Sequence, residues 1–147
     1  MKWITRERIQ VNRTATCWLI RRFLDAQAEF IFVPADQVAA IQTQTGTTGF
    51  DATGATYPHQ DAQGLCSFAA LVRQRLSDDP VLMEMARIMQ AADIKGQLDD
   101  HPAARGLQLV SRGFPQVTSN IMRLPSARGS FTTRSTRASS RIKPLGN

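Results

Sequence analysis

Arginine is the residue type in this chain best suited to hold a tetrahedral dianion, because its guanidinium stays charged and offers a planar fork of donors. Arg13, Arg21 and Arg22 fall within one predicted helix. On a regular helix Arg13 and Arg21, eight residues apart, lie on one side, whereas Arg22 faces elsewhere. The spacing favours an anion site on Arg13 and Arg21. The alternative is surface salt bridges to residues such as Asp25 or Glu29.

A second group of polar side chains occupies the middle of the chain. It comprises Asp51, His59, Cys66 and Asp93. Histidine and cysteine together can bind a soft or borderline metal, and a thiol can transfer electrons to an oxidising anion. The spacing of His59 and Cys66 matches no metal motif. The alternatives are a hydrogen-bonded loop histidine, a buried thiol and an aspartate that caps a helix end. Trp18 either walls the anion site or packs in the core.

Several enzyme classes find no support in the sequence. It contains no glycine-rich phosphate loop, no HExxH, no CxxC and no Gly-x-Ser-x-Gly elbow. No flavin or nicotinamide fingerprint is present, so the cofactor stays unknown and no catalytic residue is assigned. This favours binding over catalysis. Charged residues interrupt the N-terminal apolar stretch, which predicts no signal peptide, no membrane insertion and a cytoplasmic location.

Hydrophobic periodicity predicts a helix-rich α+β fold with a small β-sheet packed against about four helices. A strand over 3–9 precedes a helix that begins at Arg13, with Asn12 as its N-cap. The apolar run near Phe30 predicts a second strand, and the Thr- and Gly-rich stretch 43–56 a loop with a brief strand near Phe50. Further helices are predicted over 36–42, 65–76, 77–94 (capped by Ser77 or Asp78, with Pro80 in its first turn) and 101–113.

The basic charge of the chain is confined to its C-terminal end. The formal net charge is +6, yet residues 1–122 hold 12 basic and 12 acidic residues, and 123–147 hold 6 basic residues and no acid. We therefore predict a folded domain over 1–120 and a disordered Ser/Thr/Arg-rich tail over 121–147. Contact with nucleic acid is expected only non-specifically, through this tail.

Ordered local motifs connect the chain to a known family. RTATCWLIRRF (13–23) and AEFIFVPAD (28–36) are followed by Phe50-Asp51, His59, Cys66 with Phe68, and Ala92-Asp93. This order resembles the C-terminal, chromate-responsive domain of the chromate resistance protein ChrB family, over residues 3–113. The family often has Cys-Pro before the tryptophan, whereas Thr16-Cys17 stands here, which displaces the thiol by one residue. The N-terminal DNA-binding domain of the full-length regulator has no counterpart here, so operator binding is not expected.

The resemblance implies a chromate or similar oxyanion ligand, and a partner regulator or a chromate efflux system. It implies an oxyanion-sensing or accessory module. The alternative is a thiol-dependent chromate-reducing or metal-binding protein that uses Cys66 and His59. The family also ends in a motif like VYDALY. A one-base shift from the codon of Asn120, with GC-rich codons, permits FVYDALY over 130–136, so the tail is interpreted as out of frame.

Overall fold

Three parallel strands form the sheet of this protein, in the order β2–β1–β3. A computed structural model describes residues 1–8 and 10–121, with side chains through residue 113. The central strand β1 spans Lys2–Arg6, and its neighbours are β2, Glu29–Val33, and β3, Thr48–Gly49. Both neighbours run parallel to β1. The carboxyl ends of all three strands therefore lie along one edge of the sheet.

Helices are the main regular structure of the described residues, which confirms the helix-rich α+β fold predicted from the sequence. The end of the first helix widens into a π-helical turn, Ile20–Leu24, in which the Asp25 N–H donates to the Ile20 carbonyl at 2.7 Å. Among the described residues, no helix has the length and hydropathy needed to cross a bilayer. The described α-helices are α1, Val11–Leu19; α2, Val38–Thr45; α3, Ser67–Arg75; α4, Pro80–Asp93; and α5, Ala104–Ile121.

The central strand is buried on both faces because helices cover the sheet on either side. Successive side chains of a strand point to opposite faces. Trp3 accordingly packs into the main core with residues of α1, α3 and α4, such as Phe68. Ile4 packs on the other face against Val38 of α2. Strand β1 is thus fixed by packing, and its last residue, Arg6, is held at the carboxyl edge.

Several predicted element boundaries are wrong, and so is the core placement of Trp18. Each of these predictions rested on the residues of one short segment. Asn12 does not cap α1: Gln10 is the N-cap, and Asn12 is fully buried one residue inside the helix. The N-cap of α2 is Gln37, not Asp36. Trp18 is not in the core, since it is 45% exposed and packs edge-on against Phe23. The strand predicted over 3–9 ends at residue 6, and the helix predicted to end at 113 continues to 121. The predicted tail lies outside the described residues.

Helix α4 has an acidic cap that was assigned to the wrong residue. Neither Ser77 nor Asp78 is the N-cap; the Asp79 carboxylate accepts from the N–H groups of Val81 and Leu82, at 2.9 and 3.0 Å. Pro80 occupies the first turn as predicted, because a proline there loses no helical hydrogen bond. This cap matters for the site because α4 ends at Asp93.

We expect Asp79→Ala to lower the free energy of unfolding by about 1 kcal/mol, because two backbone N–H groups would lose their acceptor. Urea unfolding followed by circular dichroism measures this loss. Asp78→Ala, at the exposed neighbouring position, is the matched control. An equal loss in both variants would contradict the assignment of the cap.

Candidate functional site

Asp51 lies two residues beyond the end of β3, at the carboxyl edge of the sheet. The chain leaves β1 toward β2 on one side and returns to β3 on the other, so the topology reverses between β1 and β3. Ligands of open parallel sheets commonly bind at such a reversal. Asp51 has a φ of +52°, a left-handed conformation that aspartate adopts more readily than most residues. Its side chain is only 1% exposed.

Three basic side chains approach the Asp51 carboxylate from three parts of the chain. Nη2 of Arg13, on α1, lies 2.8 Å from Oδ2 in an ion pair without hydrogen-bond geometry. Nη2 of Arg6, at the end of β1, lies 3.3 Å from Oδ1. Nδ1 of His59 lies 2.9 Å from the same oxygen. One buried carboxylate therefore joins the central strand, the first helix and the loop before α3.

Asn12 supports this arrangement from inside α1. Its amide nitrogen donates to Asp51 Oδ1 at 3.3 Å and to the Ser67 hydroxyl at 3.1 Å. Its amide oxygen accepts from the Thr16 hydroxyl and from the Phe68 N–H, both at 3.3 Å. Asn12 thus links α1 to the start of α3 and fixes the floor of the site.

Asp93, the last residue of α4, completes what we call the charged cluster: Arg6, Arg13, Asp51, His59 and Asp93. Its Oδ2 lies 3.4 Å from His59 Nδ1, and its side chain is 7% exposed. The imidazole therefore stands between two carboxylates. With His59 neutral, two arginines and two aspartates make the formal charge of the cluster zero.

Burial and the attraction between opposite charges have opposing effects on the pKa values of Asp51 and Arg13. Burial alone would raise the pKa of Asp51, but the hydrogen bond with His59 and the charges of Arg13 and Arg6 hold that pKa below its usual value. Burial lowers the pKa of Arg13, and the Asp51 charge opposes this effect. Asp51 is therefore ionised across the physiological range.

The pKa values of His59 and Asp93 are both raised. The hydrogen bond with Asp51 raises the pKa of His59 against the opposing effect of its partial burial, and the Asp93 charge adds to this rise. Burial and then the nearby Asp51 charge raise the pKa of Asp93 to about 6. The proton content of the His59–Asp93 pair therefore changes close to neutral pH.

A solvent-open cavity of about 500 Å³ reaches the cluster from one side. His59 and Asp93 are the cluster members that line it, so they separate solvent from Asp51 and Arg13. Behind them, Nε of Arg6 and both Nε and Nη1 of Arg13 are buried and have no hydrogen-bond partner among the described residues. The other lining residues are Gln10, Val11, Ala92, Ser111 and Arg112.

The predicted pairing of Arg13 with Arg21 does not match the structure, because Arg21 lies in the π-helical turn, where regular helical spacing no longer applies. Arg21 Nη2 donates to the Ala28 carbonyl at 3.0 Å, and its guanidinium lies 5.1 Å from the Phe30 ring centre. A second cavity, of about 670 Å³, opens here. It is lined by Cys17, Trp18, Arg21, Arg22, Phe30 and Phe32, which we call the arginine–aromatic cavity.

Neither cysteine has the environment of a reactive thiol. Cys66 is fully buried at the start of α3, and burial raises its pKa to about 12. Burial likewise raises the pKa of Cys17 to about 11. Both thiols are therefore protonated at neutral pH. Asp51, His59 and Asp93, grouped with Cys66 from the sequence, do converge, but the Cys66 thiol is not one of the metal-ligand atoms gathered there.

Two members of the site were missed by sequence reasoning. Arg6 was read only as a charge near the N-terminus, although an arginine directly after an apolar strand is placed at the carboxyl edge of a parallel sheet. Asn12 was assigned to a cap because asparagine is common there. Three of its four buried hydrogen bonds join it to distant segments and leave no signal in the local sequence.

We expect Asp93→Asn to stabilise the protein at neutral pH. In the wild type, stability falls as the pH rises from the ordinary pKa of 3.8 toward about 6, because only the folded chain holds the proton there. Above about pH 6, the ionised Asp93 carboxylate lowers the free energy of unfolding by at most about 3 kcal/mol.

Urea unfolding between pH 4 and 8 measures this effect, since the gap between variant and wild type is expected to close toward about pH 4. His59 contributes in the same direction to both proteins, because its main partner, Asp51, is retained. Asp100→Asn, at an exposed position, is the control. Equal stabilities of Asp93→Asn and wild type at pH 7 would contradict the strained position of Asp93.

Comparison with known proteins agrees with the motifs in the sequence. Residues 3–129 match the sequence profile described as "ChrB, C-terminal domain". "Protein ChrB" from Cupriavidus metallidurans (strain ATCC 43123 / DSM 2839 / NBRC 102507 / CH34) is 32% identical over 96 residues, which cover 65% of this chain and 28% of that protein. The chain thus spans less than a third of the length of that relative. No solved structure is significantly similar to this chain. The chain belongs to the ChrB C-terminal domain family.

Proposed function

We propose that this domain senses chromate or a similar tetrahedral oxyanion, and that the charged cluster is where the anion acts. The observation that carries the proposal is the set of buried guanidinium N–H groups on Arg6 and Arg13 that have no partner among the described residues. Buried donors of this kind are usually satisfied by water, an ion or a ligand. A tetrahedral oxyanion offers several acceptor oxygens and the opposite charge.

Asp51 is the competitor that would make such a site respond rather than merely bind. In the described state its carboxylate engages Arg6, Arg13 and His59. An anion that enters through the cavity beside His59 can accept from the unpartnered N–H groups, but it competes with Asp51 for the positive charge of both arginines. The anion would therefore favour a second arrangement of β1, α1 and the loop around Asp51, and this differential affinity is what a sensor requires.

The arginine–aromatic cavity is the second candidate position for the anion. Arg21 and Arg22 both line it, and no carboxylate is among its lining residues. Arg21 is already engaged by the Ala28 carbonyl and the Phe30 ring, whereas the unpartnered donors belong to Arg6 and Arg13. We therefore favour the charged cluster, and the variants below separate the two positions.

The thiol-dependent alternative receives less support from the geometry. A chromate reductase of that kind needs an accessible thiolate, whereas the Cys66 thiol is buried and its pKa is raised to about 12. A sensor is expected to keep its anion affinity in Cys66→Ala. Sulfate, which does not oxidise thiols, is expected to compete with chromate for the same site.

We expect Arg6→Gln to weaken chromate binding about tenfold or more, since one charge-assisted hydrogen bond contributes about 1.5–3 kcal/mol. Isothermal titration of chromate, with sulfate as competitor, measures this change. Arg8→Gln, at an exposed position two residues away, is the matched control. In protein kept free of metal ions by a chelator, Asp51→Asn is expected to tighten binding, because it removes the competing charge and keeps the side-chain shape.

Two results would contradict the proposal. One is a folded wild type that binds neither chromate nor sulfate. The other is loss of binding in Arg21→Gln with retention in Arg6→Gln, which would place the anion in the arginine–aromatic cavity. Hydrogen exchange of the segment 51–66 tests the sensing step: the proposal expects faster or slower exchange when the anion is added to wild type, and no change in Arg6→Gln.

A further inference from the structure

Three side chains of the charged cluster offer their donor atoms to a common point. One ligand-capable atom each from Asp51, His59 and Asp93 lies within 4.8 Å of the other two. These residues come from the turn after β3, from the following loop and from the end of α4. The described geometry therefore gathers one imidazole and two carboxylates without any rearrangement of the backbone.

An unpartnered oxygen points independently to a cation at this place. Asp93 Oδ2 has no hydrogen-bond partner among the described residues, although its side chain is only 7% exposed. A buried carboxylate oxygen without a donor is costly. Its nearest basic group is His59 Nδ1, at 3.4 Å, and that nitrogen is already shared with Asp51 at 2.9 Å. One proton on the imidazole cannot satisfy both carboxylates well.

We propose that Asp51, His59 and Asp93 bind a divalent first-row metal ion. The ion replaces the proton on His59 Nδ1 and accepts electron pairs from that nitrogen and from one oxygen of each aspartate. This donor set selects the class of metal. Imidazole suits zinc, iron and nickel, carboxylate suits manganese, and a soft ion such as Cu(I) would need the thiolate that this group lacks.

The cavity beside the cluster gives the ion a route and leaves room for exchangeable ligands. His59 and Asp93 both line this cavity of about 500 Å³, and Gln10 and Ser111 bring further oxygen atoms to its wall. Three protein ligands with open positions are the arrangement of metal sites that bind a second ligand. The site is therefore built for a metal that keeps contact with solvent.

The metal also has a consequence for oxyanion binding, and this consequence rests on the proposed function. With His59 neutral the cluster carries no net formal charge, so it holds no excess attraction for a dianion. A divalent ion raises the local charge to about +2, with Arg6 and Arg13 balanced by the two aspartates. That charge is equal and opposite to that of chromate. The metal-loaded cluster is then a better oxyanion site than the metal-free one.

Titration of metal-free protein with Co²⁺ tests the metal site without any oxyanion. Visible absorption reports the geometry of bound Co²⁺, and a near-ultraviolet charge-transfer band reports thiolate ligands. We expect one equivalent to bind without the thiolate band, and His59→Gln and Asp93→Asn each to weaken binding by roughly 100-fold or more, since even outer-sphere changes cost 10–100-fold. His101→Gln, at a histidine paired with the single carboxylate of Glu84 at 2.8 Å, is the matched control and is expected to bind as wild type.

The inference is overturned if the folded wild type binds no stoichiometric Co²⁺, if both site variants bind as wild type, or if a thiolate band shows that a cysteine is the ligand. Its failure is distinct from that of the proposed function. If the protein binds chromate but no Co²⁺, the proposed metal site is rejected and the proposed sensing function is retained. If the protein binds Co²⁺ but binds neither chromate nor sulfate, with or without bound Co²⁺, the metal site is retained and the sensing function is rejected.

Discussion

The buried ion pair between Asp51 and Arg13 is the constraint on which the rest of the structure depends. Both side chains are almost completely buried, at 1% and 2% exposure. Taking two charges out of water costs several kcal/mol per ion, which is recovered only when the pair is well placed and its other atoms are bonded. Arg6, Asn12 and His59 supply contacts to the same carboxylate. The position of each therefore depends on that of the others.

The parallel sheet explains why these groups meet where they do. Because β2 and β3 flank β1 on opposite sides, the chain reverses its direction of travel between β1 and β3, and residues at or just beyond the carboxyl ends of those strands face each other across the reversal. Arg6 and Asp51 are those residues. Helix α1 then delivers Arg13 and Asn12 from one side, and the end of α4 delivers Asp93. The π-helical turn after α1 carries Arg21 and Arg22 to a different surface.

Sequence patterns were sufficient for the elements and for part of the site. The apolar run of β2 and the Asp-Pro start of α4 are local signals, and both elements form where they were expected. Asp51, His59 and Asp93 were grouped with Cys66 as polar side chains, and the structure brings these three together without the thiol. Asn12 and Arg6 were missed because their roles depend on pairing between segments 39 to 56 residues apart, which no local period encodes. The alternative that placed Trp18 in the core was wrong because helical spacing identifies a face without showing what covers it.

The charge balance of the cluster gives it more than one way to respond. Two arginines and two aspartates cancel, so a single added proton, cation or anion gives the cluster a net charge of its own sign. His59 and Asp93 stand at the solvent side, where such a species arrives first, and Asp51 and Arg13 lie behind them. A change at His59 is transmitted directly to Asp51, because they share a hydrogen bond. Asp51 also contacts Arg6 of the central strand and Arg13 of the first helix, so one carboxylate links His59 to both elements.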